Sequence, residues 1–346
     1  MRKVVITLLC VLLACSTVFA QGSSEKAAGK QSGKLVIYTT AADEEYETIV
    51  GGFIKKYPQI KVEAVQAGAG ELKTRIQAEA GNPQADIMSG LNYPDYLSMK
   101  NNWEPYIPSN NGSLPPNMQN NTEGRLHFGT VQVTNLLVNK AEAAKLGVKI
   151  ESYADLLNPA LKGKIISANP AASSSAWNQL STMLSSMGGY DSKEAWDFLE
   201  RLAENLGGVM SGSSSACYKT VLQGEYVVGI TYEAPCVTYI EEGQGDKVEI
   251  VYPSEGTNFI QFASAIIKDA KNMENAKLFI EWLMSDELQA NLASTTQRQA
   301  NITLPTTNPN MKSMSEIKFS DRDEVYLAAN QQNILDRWAR IWAKYN

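Results

Sequence analysis

The sequence predicts an α/β protein of two lobes, each a doubly wound sheet flanked by helices. Three observations carry this. The chain has 346 residues, too many for one ordinary hydrophobic core. Its first half alternates short apolar runs with amphipathic ones, the pattern of parallel strands joined by helices. An apolar run near the middle and another near residue 262 cut the chain into end and middle portions, so one lobe is built from both ends. The expected layout is a leader over residues 1–20, a tether over 21–33, a first lobe from 34–130 plus 260–346, and a second from 131–259.

The elements follow in order. Arg2 and Lys3 precede an apolar run that ends near Ala14, the make-up of an export leader. Two endings fit. Val18-Phe19-Ala20 suits cleavage before Gln21, whereas Leu12-Leu13-Ala14-Cys15 suits a lipoprotein, with Cys15 acylated. Residues 21–32 are rich in Gly, Ser, Lys and Ala and read as a flexible tether. Residues 35–38 read as a strand. In 43–56, Tyr46, Ile49, Val50 and Phe53 fall on one helical face, and Pro58 ends the helix. Strands at 60–65 and 85–88 flank a turn at Gly68-Ala69-Gly70 and a helix at 71–80. Residues 105–121 form a loop heavy in Pro, Asn, Ser and Gly. Residues 131–138 are the strand that crosses into the second lobe. There, strands at 164–167, 227–231 and 248–252 alternate with helices at 177–187, 193–206 and 217–223. Residues 262–267 return to the first lobe, where helices at 275–284, 286–294 and 321–344 are expected to pack.

Ligands of doubly wound sheets lie outside the carboxyl ends of the strands. That places Thr39, Thr40, Gly68, Ala69, Gly70 and Asn92 on one rim. Ser173, Ser174 and Ser175, and Ser211, Ser213 and Ser214, precede helices in the second lobe. Hydroxyls and backbone N–H groups at such turns hold anions, and they equally serve as plain helix caps. Tyr232 and Glu233 end an apolar strand. The tyrosine suits stacking on a solute or core packing. The carboxylate suits sugar hydroxyls or an ammonium group, or a salt bridge. Trp177 suits a sugar face or the core.

Charge excludes one class of partner. The full chain carries 37 acidic residues against 31 lysines and arginines, and the leader removes two of the basic ones. An acidic chain without a basic block does not recruit nucleic acid. Enzyme motifs are missing too: no His-Glu-x-x-His, phosphate-binding loop, zinc spacing or Gly-x-Ser-x-Gly, and one histidine, His127, in the whole sequence. No cofactor is implied. Of four cysteines, Cys10 and Cys15 fall in the leader; Cys217 and Cys236 are either one disulfide or two buried thiols.

Six phrases together carry a resemblance: YTTA at 38–41, GAGELKTRIQAEAGNPQADIMSG at 68–90, LLVNK at 136–140, ADLLNPALKGKI at 154–165, QGEYVVGITYE at 223–233 and AIIKDAKNMENAKLFIEWLMS at 265–285. They resemble the extracytoplasmic solute-binding proteins of ABC importers, in the group of ferric-ion binders and their phosphonate and sugar-phosphate relatives. The resemblance implies the type II periplasmic-binding-protein fold, with two lobes closing about a hinge on a small solute. It also implies a permease and an ATPase as partners, and an exported location, with contact to the membrane only through a lipid on Cys15. Ferric binders of this group use two adjacent tyrosines where this chain has Thr231-Tyr232-Glu233. That departure favours a small anionic solute, a phosphonate or sugar phosphate. The iron alternative would use Tyr232, Glu233 and His127.

Overall fold

The computed structural model describes residues 32–41, 43–116, 118–119 and 123–346. The leader and most of the tether lie outside them. The described residues open on three strands and their helices. These are β1 (Gly33–Thr39), α1 (Asp43–Tyr46), a π-helical stretch (Glu47–Gly51), α2 (Gly52–Lys56), β2 (Ile60–Gln66), α3 (Ala69–Ala78), β3 (Ile87–Asn92) and α4 (Tyr93–Ser98). Then come β4 (Trp103–Glu104), the long β5 (His127–Asn139), α5 (Lys140–Leu146), β6 (Ile165–Ile166), α6 (Ser174–Ser186), α7 (Lys193–Leu206) and α8 (Ala216–Leu222). The chain ends through β7 (Val228–Tyr232), α9 (Glu233–Tyr239), β8 (Val248–Val251), β9 (Phe259–Ile267), α10 (Met273–Leu283), α11 (Asp286–Leu292), β10 (Arg298–Gln299) and α12 (Glu324–Trp342). No described helix is long and apolar enough to cross a membrane.

The strands run in the order β2-β1-β3-β9-β5-β7-β6. β1 pairs in parallel with β2 and β3, and β6 in parallel with β7, as the alternating pattern predicts. The two long strands are the exception. β9 and β5 are antiparallel to each other, and β9 to β3. β5 serves both halves: residues 127–133 pair with β9, and 134–138 pair with β7. It is the predicted crossing strand.

Apolar burial divides at this point. One core gathers Tyr38, Phe53, Tyr96, Trp103, Phe128, Phe279 and Trp282. A second gathers Leu136, Tyr153, Trp177, Trp196, Leu199 and Ile230, with a smaller cluster around Cys217 and Cys236 beside it. Leu327, Ile334, Trp338 and Ile341 of α12 bury in the second core. The last helix therefore departs from the expected boundary, which put residues 260–346 with the first lobe. The cause is a third crossing. Thr257 donates its N–H to Lys318 O and its carbonyl accepts from Ser320 N, at 2.9 and 2.8 Å. The segment through Phe319 thus runs beside Thr257 and carries the chain back. At the same level Thr134 and Thr257 share a hydroxyl hydrogen bond of 2.6 Å, and Thr134 N donates to Asn258 O at 3.0 Å. Three chain segments joined by short side chains form the connection between the cores.

Candidate solute cleft

The strand ends are closed by short polar side chains. Thr39 Oγ1 accepts from Ala41 N at 3.0 Å, and Thr40 Oγ1 donates to Gly90 O at 2.7 Å. Gly90 has φ of +93°, and a Cβ there would meet Thr40 Oγ1 at 2.3 Å, so this close contact requires glycine. Asn92 accepts from Asp95 N, capping α4, and Ser173 accepts from Ala176 N, capping α6. Gly68 precedes α3, and a Cβ at Gly68 or Gly70 would meet nothing within 4 Å.

A cavity of about 710 Å³ lies beside the crossing strands. Thr40, Glu44 and Glu45 line it from the first lobe, with Thr130, Val131 and Gln132 of β5, Phe262 of β9, and Thr296 and Gln297. Tyr218 and Lys219 of α8, Tyr232, and Pro235, Thr238 and Tyr239 of α9 line it from the second. Glu241 and Glu242 join them from the π-helical turn Ile240–Gln244. Tyr218 is the middle of an aromatic cluster. Its ring centroid is 6.3 Å from that of Tyr232, edge to face, and 5.9 Å from that of Tyr239.

Of the residues singled out from sequence, Thr40 and Tyr232 line this cavity. Ser214 lies next to it, hydrogen-bonded to Tyr232. Burial raises the Tyr232 phenol, with Tyr218, Cys236 and Glu45 adding to the effect. Thr39, Gly68, Ala69, Gly70 and Asn92 are not among its lining residues, nor are Ser173, Ser174, Ser175, Ser211 and Ser213. Ser211 and Ser213 bond within their own loop. Trp177 is buried in the second core. Glu233 is not among the lining residues, and both its carboxylate oxygens bind Arg298. His127 is buried beside Tyr106 in the first lobe and does not line the cavity either. The proposed iron set of Tyr232, Glu233 and His127 is therefore not assembled at the cavity wall.

Sequence reasoning passed over Glu44, Glu45, Tyr218, Lys219, Tyr239, Glu241 and Glu242. Their signal was faint. Glu44 and Glu45 follow the YTTA phrase and read as ordinary acids in the first turn of a helix. Tyr218 and Lys219 directly follow Cys217, and Tyr239 falls two helical turns after Tyr232. Glu45 accepts one hydrogen bond, from Thr130 Oγ1 at 3.1 Å, and has no ion-pair partner among the described residues. Burial raises its pKa, and the Thr130 bond offsets this in part. Glu44 accepts from the N–H and hydroxyl of Thr296, and Glu241 accepts from Asn308 Nδ2 at 2.7 Å. Among the described residues no group of histidine, cysteine, aspartate and glutamate is arranged to hold a metal ion.

A cleft between two α/β halves, walled from both and joined by crossing strands, defines a two-lobed solute-binding protein. The family model of bacterial extracellular solute-binding proteins matches residues 35–295, and the chain belongs to that family. It is a type II periplasmic solute-binding protein of ABC importers, in the ferric and sugar-phosphate group. It is 29% identical to an uncharacterized protein of Haemophilus influenzae, over 81% of each chain. It is 26% identical to iron uptake protein A1 of Synechocystis, over 68% of this chain and 66% of that one. Among solved structures it is similar to the periplasmic binding protein AfuA of Actinobacillus pleuropneumoniae with fructose-6-phosphate bound. The TM-score is 0.76 and the identity 26%, over 90% of this chain and 99% of the other. Membership implies an extracytoplasmic location, a small solute, and permease and ATPase partners, in a transport role.

Proposed function

We propose that this protein captures a small organophosphate, a phosphorylated sugar or a phosphonate, and delivers it to its permease. The observation that carries the reading is the cavity walled from both lobes, with Thr40 and Glu45 on one side and Lys219 and Tyr232 on the other. Closure of such walls about a hinge buries a ligand and marks the protein as loaded. Among the described lining residues Lys219 supplies the cation for an oxyanion. Sugar hydroxyls find acceptors in Glu44 and Glu45, and the tyrosines offer rings to the apolar face of a sugar. The likeness to a fructose-6-phosphate-bound protein supports the same class. The test is thermal unfolding against hexose phosphates, phosphonates and inorganic phosphate. A ligand bound only by the folded state raises the melting temperature. No shift with any organophosphate overturns the reading.

Ferric iron is the second reading. Tyr218, Tyr232 and Tyr239 gather on one wall and Glu45 lies on the other, and phenolate and carboxylate oxygens suit a hard cation. The likeness to an iron uptake protein supports it. A visible tyrosinate-to-iron absorption band on adding ferric nitrilotriacetate would establish it, and its loss in Tyr232→Phe would place the metal.

A further inference from the structure

We propose that Trp282 is a positioning residue for this cleft: seated on Gly52, it holds the π-helical stretch Glu47–Gly51 and so turns Glu44 and Glu45 toward the cavity. The proposal rests on the reading of that cavity as the solute site and names what aims its first-lobe wall. Tyr46, Ile49, Val50 and Phe53 have the spacing of one face of an unbroken α-helix. The structure keeps only the last three together: Ile49, Val50 and Phe53 are buried, whereas Tyr46 is half-buried. The reason is the extra residue that a π-turn inserts. Gly52 N donates to Glu47 O, five positions back. Each residue of an α-helix adds about 100°, so everything before the turn is swung by about that angle. Glu45 takes the direction that Tyr46 would have had, in line with Val50, and Glu44 takes the direction that Glu45 would have had. In an unbroken helix Glu44 would lie opposite the buried face.

The turn is held from α10. Trp282 Nε1 donates to Ile49 O, inside the turn, at 2.8 Å. The indole is buried, and it lies so close to the helix that a Cβ at Gly52 would meet its Cζ2 at 2.7 Å. On the other flank a Cβ at Gly51 would meet Glu47 Oε2 at 2.8 Å. The ammonium of Lys56 covers the indole ring, 5.2 Å from its centroid. A π-turn is rare. Here two glycines leave out the Cβ atoms that would block it, and an indole N–H adds a bond within it. Ahead of the turn, Glu44 accepts from Thr296 N at 3.2 Å and Glu45 from Thr130 Oγ1 at 3.1 Å. Both bonds tie the helix to the cavity wall, and both follow from the swing. Trp282 is not among the lining residues, so it acts on a solute only through the helix it holds.

The test compares Trp282→Phe with Phe279→Leu, a substitution about one turn away on α10 in the same core. Phenylalanine keeps a ring but has no N–H to give Ile49. Two measurements on the mature chain separate positioning from plain packing. The first needs no solute: hydrogen exchange at the Thr296 amide, which is bonded to Glu44. Trp282→Phe should quicken it by about 10-fold, the size of one ordinary hydrogen bond, while the amides of β1 keep their rates. The second is titration calorimetry with fructose-6-phosphate, where Trp282→Phe should weaken binding by about 10-fold. Phe279→Leu loses core packing of its own and should leave both readouts within about 3-fold. Gly52→Ala forces the indole off the helix and should behave as Trp282→Phe does, which covers the case of a Trp282 variant that does not fold. Native Thr296 exchange in Trp282→Phe or, should that not fold, in Gly52→Ala overturns the proposal. Equal changes in Phe279→Leu overturn it too, because Trp282 would then be packing alone. If the native chain does not bind fructose-6-phosphate, the solute reading fails for that probe, and Thr296 exchange by itself supports or overturns the role of Trp282.

Discussion

Glu233 and Arg298 form a buried two-pronged ion pair that ties the second lobe to a strand of the first. Arg298 Nε lies 2.5 Å from one carboxylate oxygen and Nη2 2.8 Å from the other, with both side chains 2% exposed. Glu233 stands in the first turn of α9, directly after Tyr232, and Arg298 stands on β10, paired with β5. Tyr252 donates its hydroxyl to Glu233, and Arg298 donates onward to Thr306 Oγ1 and Lys312 O. Three donors from Arg298 and Tyr252 meet the Glu233 carboxylate, so its charge is committed to this pair rather than to the cavity.

That satisfaction is conditional on both partners. Arg298→Met leaves a carboxylate stranded in the interior and should cost about 3–5 kcal/mol. Replacing both, as Glu233→Leu with Arg298→Met, removes the stranded charge and should recover most of the loss. Urea unfolding of the two single variants and the double variant measures this. A single-variant loss under about 1 kcal/mol would mean that the pair does not hold the lobes together.

The strands were legible because their apolar runs are bounded by turn residues, and Val227 through Thr231 falls almost wholly on β7. The crossing strand was legible for the same reason. The third crossing was not, because residues 300–320 carry no periodic pattern and the crossing is made by backbone bonds at Thr257 and Ser320. The rim residues show a different limit. Asn92 and Ser173 are helix caps, and the same short polar side chains that cap a helix would hold an oxyanion, so their type cannot separate the roles. Glu233 shows another. Its partner lies 65 positions away on a two-residue strand that no pattern announces.

His127 is expected to make the protein sensitive to mild acid. Burial holds its imidazole down to about 3, against an ordinary 6.5, with a backbone bond to Gly124 raising it slightly. As pH falls through 6.5 the unfolded chain gains a proton that the folded chain refuses until about 3. Stability therefore falls with falling pH across that window, by about 2 kcal/mol between neutrality and about pH 5 from this group. The measurement is the melting temperature at both values for the native chain and for His127→Phe. The variant should lose less on acidification. An identical drop in both would assign the acid sensitivity to other groups.

Gly229 sets the distance between β7 and α8. A Cβ at this position would lie 1.8 Å from the backbone oxygen of Cys217 and 2.9 Å from its carbonyl carbon. Neither atom yields without moving α8. Since α8 carries Tyr218 and β7 carries Tyr232, Gly229→Ala should both destabilise the fold, by about 1–3 kcal/mol or more, and spread the tyrosine wall. Urea unfolding reads the first effect and solute titration the second. A variant of native stability and native affinity would show that this contact is not what spaces the two rings.

Cys217 and Cys236 are free and buried in one small apolar cluster, which answers the alternative left open by the sequence. Burial pushes both thiols up to about 12, so almost no thiolate is present near neutrality. Reaction with a disulfide reagent requires thiolate and access, and the native fold withholds both. A chain beginning at Gln21 carries no other cysteine. It should therefore show no fast-reacting thiol when folded and two in denaturant without reductant. Two silent thiols in denaturant would mean a disulfide has formed after all, and rapid labelling of the native protein would mean that α8 opens readily from β7. Because Cys217 adjoins Tyr218 and Cys236 adjoins Pro235, solute that closes the cleft should slow whatever labelling remains.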